Sequence, residues 1–216
     1  MDKEIRESIK AAYLEFEKEP MDSYYKSPIA GYPSRLRVKK ILKELGGVKG
    51  KSVLDAGCEA GYISMKIARK GANVYAFDIC EPALEKFRKK AAGMNSITIF
   101  RALAQKIPLE KSTIDAAVCT EAIEHMPKLE KVFSELKRVM KPDAKLIITF
   151  PNESLRKKVY PIAKLLGINT DVEEEVTLFK YTKQEIISKL EKHFSVLKAY
   201  TIPKLFPLTH IIVCKK

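Results

Sequence analysis

The chain has 216 residues, 46% hydrophobic and 31% charged, which suits one globular domain around a single sizeable core. Its first residues, Met1-Asp2-Lys3-Glu4-Ile5-Arg6, are charged where a secretory signal is apolar. No apolar run approaches the roughly 18 residues of a membrane span, so a soluble, cytoplasmic protein is expected. A formal net charge of +13 draws the chain toward anions, yet the lysines are spread along every predicted helix and read as a solvated surface. Cys58, Cys80, Cys119 and Cys214 form no C-x-x-C pair, which argues against a zinc knuckle or a disulfide framework and for buried, reduced thiols.

In chain order, residues 3–18 place Ile5, Ile9, Ala12, Tyr13 and Phe16 at helical spacing. Residues 36–45 do the same with Leu36, Ile41, Leu42 and Leu45. Between them "PMDSYYKSPIAGYP" is a connection whose Tyr24, Tyr25 and Tyr32 are placed to close over a bound molecule. From Lys51 short apolar strands alternate with amphipathic helices. Strands are expected at 52–58, 73–79, 96–103, 114–120 and 144–151, and helices at 62–70, 82–93 and 128–140. This alternation predicts a doubly wound, mostly parallel α/β sheet with helices on both faces. A helix at 183–192 and strands at 195–202 and 209–216 follow, the two strands too close for a crossover and therefore antiparallel at one edge. Residues 1–50 are expected to form an N-terminal helical cap and 51–216 the core, with a helical insertion near 154–180. Within it 154–166 carries one apolar face among Arg156, Lys157, Lys158 and Lys164, suited to a lid, to peripheral membrane contact, or to packing over the sheet edge.

"VLDAGCEAG" (53–61) ends a strand and opens a helix, where such a sheet binds nucleotides, and the second strand ends in Asp78, placed to hold ribose hydroxyls. The loop carries acids at Asp55 and Glu59, which repel a pyrophosphate and tolerate a cationic sulfonium. The residues therefore favour S-adenosylmethionine over a dinucleotide.

The segments "VLDAGCEAG", "VYAFDICEPALE", "IPLEKSTIDAAVCTEAIEHMP" and "LKRVMKPDAKLIITFPN" resemble class I S-adenosylmethionine-dependent methyltransferases across roughly residues 33–151. Within that class the chain is most similar to the ubiquinone-pathway O-methyltransferase branch. The resemblance implies a Rossmann-like sheet of seven strands, six parallel and the last antiparallel. It implies that Gly57, Cys58 and Gly61 lie against the methionine moiety, that Asp78 and Ile79 hold ribose and adenine, and that Thr120 flanks the cofactor. "PSRL" (33–36) matches a segment whose arginine meets the cofactor, making Arg35 the expected clamp for its carboxylate. Two departures stand out: Glu59 replaces a glycine, and Leu103 stands where relatives carry an acid, leaving adenine to the Ala104 backbone.

"CTEAIEHMP" (119–127) places Glu121, Glu124 and His125 in an E-x-x-E-H pattern. On one helical turn these positions share a face, where two carboxylates and an imidazole can hold a divalent cation such as Mg²⁺. The ubiquinone-pathway enzymes and small-RNA 2′-O-methyltransferases place a metal on this pattern. Equally, His125 and Glu121 can serve catalysis without metal, or order the loop. The expected reaction is methyl transfer to a hydroxyl of a small or lipid-like molecule. A nucleic-acid (RNA 2′-O) methyltransferase and a cofactor-binding protein without activity are the alternatives.

Overall fold

A computed structural model of the protein describes residues 2–18, 31–158 and 177–216. Six helices, α1 (Lys3–Lys18), α2 (Tyr32–Leu45), α3 (Tyr62–Ala68), α4 (Glu81–Lys90), α5 (Leu129–Val139) and α6 (Lys183–Leu190), are named among these residues. They surround strands β1 (Ser52–Ala56), β2 (Asn73–Asp78), β3 (Ile97–Arg101), β4 (Ile114–Thr120), β5 (Met140–Pro151), β6 (Ser195–Ile202) and β7 (Thr209–Lys215). Residues 153–158 are also helical, the described part of the expected insertion; its remainder at 159–176, like Tyr24 and Tyr25, lies outside the described residues. None of the described helices is long and apolar enough to cross a membrane.

The seven strands form one sheet in the order β3-β2-β1-β4-β5-β7-β6. β7 pairs antiparallel with both β5 and β6 and is the one strand that runs against the others. The order reverses between β1 and β4, and the switch opens a crevice at the carboxyl edge of the parallel strands.

Two apolar cores lie on the two faces, and alternate residues of each strand divide between them. Val53 of β1 and Val118 of β4 join Val38, Ile41 and Leu45 of α2, Ile67 of α3, and Leu84 and Phe87 of α4. Leu54 and Cys119 face the other way, toward Val132, Phe133 and Leu136 of α5 and Ile186 and Leu190 of α6. The period of two in the strands and near four in the helices makes this division. α1 touches neither core: its Ala11 sits in a small separate cluster with Leu14 and Leu178. It is held by polar contacts instead, including the Ser8 hydroxyl donating to the carbonyl of His125 and the Glu81 amide donating to Tyr13 Oη at 3.4 Å.

Gly61 caps α3 with φ of 76°. A Cβ there would stand 2.1 Å from the ring of Phe87, so only glycine lets α3 start this close to α4. Gly93 also has positive φ but open space around it, which isolates the steric part. Gly61→Ala is expected to lower stability to urea by about 1–3 kcal/mol more than Gly93→Ala does; equal losses would mean that the Phe87 ring yields freely.

Candidate active site

The crevice is a cleft enclosing about 1140 Å³ of empty space, part of it open to solvent. Asp78, at the end of β2, organises one wall. Its Oδ2 accepts a hydrogen bond from the amide of Glu59 and its Oδ1 one from the amide of Cys80, both 2.9 Å. The amides of Gly57 and Cys58 donate to the carbonyl of Phe77 at 2.9 and 3.0 Å. The loop after β1 is thereby pinned to the end of β2. Glu59 adopts φ of 46° within it, the left-handed region glycine enters most easily, and so keeps the backbone path despite being a glutamate. A Cβ on Gly57 would lie 2.7 Å from that of Ala122, so glycine lets the loop approach the segment after β4.

Asp55, Gly57, Cys58, Asp78 and Ile79 line the cleft, as do Ala104, Thr120, Glu121 and His125. Leu103 lines it beside Ala104. Gln105 closes that end, its buried Nε2 donating to the carbonyl of Pro127 at 2.6 Å.

Two expected cofactor residues stand elsewhere. Gly61 is outside the lining, and the side where a Cβ would stand is filled by Phe87. Arg35 lies in a shallow groove between α2 and α3, and Arg37 lines the cleft in its place. Residues two apart on a helix point about 200° away from each other, so both cannot face the cleft. Arg37 is 5% exposed and its guanidinium lies 3.2 Å from Glu121. The sequence held a signal for it: Ser34, Arg37, Val38, Ile41 and Leu45 are the buried face of α2, and an arginine in such a stripe is the odd member. Ser8 and Glu15 of α1 also line the cleft and were equally missed, because helix periodicity reports the apolar face alone; Ala12 and Phe16 of that face line it beside them.

The described residues give the expected metal site no support. Glu121 takes φ of 49°, and the helical turn begins only at Ile123, as a 3₁₀ turn of Ile123–His125. The three side chains therefore leave the common face that one α-helical turn would give them. Glu121 turns to Arg37 and accepts a hydrogen bond from the Thr149 hydroxyl at 3.0 Å. His125 points into the cleft with Nε2 3.7 Å from Glu15. Glu124 is buried away from the cleft lining. Among the described residues no group of three His, Cys, Asp or Glu is placed to hold a metal ion, so Mg²⁺ at Glu121, Glu124 and His125 is not supported.

The residues do fit a cationic cofactor. The lining holds five carboxylates, on Glu15, Asp55, Glu59, Asp78 and Glu121, against Arg37 and His125. Thr120 adds a buried hydroxyl with no hydrogen-bond partner. Burial and the nearby charge of Asp78 push Asp55 up to about 6, against a hydrogen bond from the Ser64 hydroxyl that lowers it. Burial also raises Asp78, and Glu124 is pushed well above the carboxylate range by burial and then by Glu121. Burial drives the Cys58 thiol well above its usual range and Cys80 up to about 11, so both stay protonated and serve as packing rather than as nucleophiles.

Asp55 carries a pH signature. With its folded value raised from the ordinary 3.8 to about 6, the folded state binds this proton more tightly than the unfolded state. The contribution to stability is therefore largest below pH 4 and is lost as pH rises through 6, by about 3 kcal/mol in all. Asp55→Asn keeps an acceptor for Ser64 and removes the charge. Urea unfolding should show the variant gaining about that amount relative to wild type between pH 4 and pH 7; parallel profiles would refute the assignment.

A family profile described as "Methyltransferase domain" matches residues 54–148. The chain is 28% identical over 129 residues to a ubiquinone biosynthesis O-methyltransferase of Alkalilimnicola ehrlichii, covering 59% of this chain and 52% of that protein. It is 31% identical over 127 residues to the protein of that name from Actinobacillus pleuropneumoniae serotype 7, covering 56% and 54%. The chain thus spans about half the length of these relatives. Among solved structures it is similar to a SAM-dependent methyltransferase of Aquifex aeolicus, at 25% identity and a TM-score of 0.68 over 85% of this chain and 93% of that one. The same fold at 13% identity is that of the [4+2]-cyclase SpnF, with a TM-score of 0.71 over 88% and 84% of the two chains. With the profile over residues 54–148, the 3-2-1-4-5-7-6 sheet and an acid-lined cleft at its switch point, the chain is similar to class I S-adenosylmethionine-dependent methyltransferases.

Proposed function

We propose that the protein transfers the methyl group of S-adenosylmethionine to a hydroxyl of a small or lipid-like molecule. The observation that carries this reading is the cleft itself: five carboxylates around a pocket at the carboxyl edge favour a sulfonium and ammonium ligand and oppose a pyrophosphate. The name shared by the relatives, O-methyltransferase, supports oxygen as the acceptor atom.

The cofactor, when bound, supplies the electrophilic methyl. Asp78 receives the ribose hydroxyls, its carboxylate held in place by the amides of Glu59 and Cys80. Ile79, Leu103 and Ala104 give the adenine an apolar slot. Arg37, the one arginine or lysine among the described cleft residues, takes the cofactor carboxylate, with Glu121 steadying the guanidinium from its other side. Thr120 offers its hydroxyl beside the glycine loop. His125 faces the acceptor and takes its hydroxyl proton as the oxygen–carbon bond forms. Alignment and exclusion of water supply most of the acceleration, and α1, which walls the cleft through Ser8, Glu15 and Phe16, contributes to both.

Calorimetric titration with S-adenosylhomocysteine tests the cofactor half. Wild type should bind equally with Mg²⁺ or with a chelator, Asp78→Ala should abolish binding, and Arg37→Ala should weaken it about 10- to 100-fold, the worth of a charged hydrogen bond. Arg35→Ala should stay within about twofold. Absence of binding by correctly folded wild type overturns the reading.

The catalytic half is tested by transfer of labelled methyl to catechol acceptors such as 3,4-dihydroxybenzoate. His125→Ala should lower kcat by about 10²-fold or more while leaving S-adenosylhomocysteine affinity intact. Unchanged turnover would remove His125 from the mechanism.

A further inference from the structure

Read along the sequence, the lysines look evenly spread; the fold gathers six cations into one place. The groove between α2 and α3 is lined by Arg35, Lys39, Lys40 and Lys43 from α2 and by Lys66 and Lys70 from α3 and the turn after it. No Asp or Glu among the described residues lines it. Glu44, the one acid of α2, is turned toward β6, where it meets Lys198 at 2.9 Å and Tyr200 at 3.2 Å; α3 contains no acid. Lys39 and Lys43, and Lys66 and Lys70, are like-charged pairs four residues apart, which repel unless an anion lies between them.

Aromatic side chains accompany the charges. Tyr32 precedes Arg35, Lys39 and Lys43 on the same face of α2, at steps of three, four and four residues, and is 57% exposed. Tyr62 lines the groove beneath Lys66, whose ammonium lies 4.8 Å from the ring centroid, and it also borders the cofactor cleft. From Arg35 to Lys43 the cations extend over about 12 Å of helix axis.

We infer that this groove binds the phosphodiester backbone of single-stranded nucleic acid, with Tyr32 as a platform on which a base stacks. A cationic channel with an exposed aromatic at its end is the arrangement that holds unpaired strands without reading their sequence. A bilayer fits less well: the groove is concave, and among the described residues three of the four large exposed apolar side chains, Leu197, Leu205 and Phe206, lie on β6 and the β6–β7 connection, away from it. Since Tyr62 is common to groove and cleft, a strand in the groove passes beside the cofactor site.

The test is fluorescence anisotropy of a labelled single-stranded RNA dodecamer with the full chain, from 50 to 300 mM salt as order-of-magnitude bounds of the counterion regime. Affinity should fall with salt at a log–log slope near −3, for roughly four neutralised phosphates at about 0.7 each. The triple variant Lys39→Glu, Lys43→Glu, Lys70→Glu replaces exposed side chains and should lose about 30-fold or more in affinity. Tyr32→Ala should lose about tenfold with the slope unchanged. Lys106→Glu, Lys111→Glu, Lys137→Glu makes the same change in net charge at exposed sites elsewhere and should stay within about threefold. Equal losses in the two triples would reduce the effect to net charge and overturn the site. So would absence of RNA binding at the lowest salt, or binding of phosphatidylglycerol vesicles that the groove triple abolishes while RNA binding persists. Calorimetry with S-adenosylhomocysteine on the same proteins separates failure of the groove from failure of the cofactor assignment.

Discussion

One carboxylate holds the site together. Asp78 takes the amide of Glu59 on one oxygen and that of Cys80 on the other, and so ties the loop after β1 to the start of α4 across the end of β2. The position of Gly57 against Ala122, and with it the width of the cleft between β1 and β4, depends on that tie. The same group is buried, and its charge adds to the burial that raises the free energy of ionising Asp55. A cleft lined by these carboxylates favours a cationic ligand over an anionic one. Recognition of charge is built into the loop that shapes the pocket.

A second polar chain crosses the cleft. Arg37 on α2 meets Glu121 after β4, and Glu121 accepts from Thr149 on β5 through its side chain while its amide donates to the carbonyl of Thr149 at 2.9 Å. A nearly buried ion pair of this sort adds little net stability, because desolvation offsets the attraction. Its effect is geometric: it fixes where α2 sits relative to the sheet's switch point and leaves a guanidinium facing the cleft.

The strands were legible almost to the residue. Ile114–Thr120 stands where its apolar run predicted, because a buried parallel strand advertises itself by composition, and the edge strand Ser195–Ile202 also falls on its predicted range. β5 begins at Met140 instead of 144, since "MKPDAK" contains a proline and an aspartate at φ of 63° and reads as a turn. α2 begins at Tyr32, four residues before the predicted start, with Pro33 in its first turn. One wall of the cleft was legible for a related reason: Asp55, Gly57, Cys58 and Asp78 sit at or just after strand ends, where sequence position fixes spatial position. Arg37, Glu15 and the geometry of Glu121, Glu124 and His125 were not, because they depend on helix rotation and on one left-handed residue. The basic groove was invisible because its cations come from two helices separated by β1.

The position of β7 bears on how the chain is made. It is the last of the seven strands to leave a ribosome, yet it lies between β5 and β6 and hydrogen-bonds to both. Until it emerges, β5 presents an open edge of apolar residues and β6 has no partner in the sheet. The nascent chain therefore completes its βα core before its C-terminal side can close, and the exposed β5 edge is the place where a stalled or truncated product would pair with a neighbour.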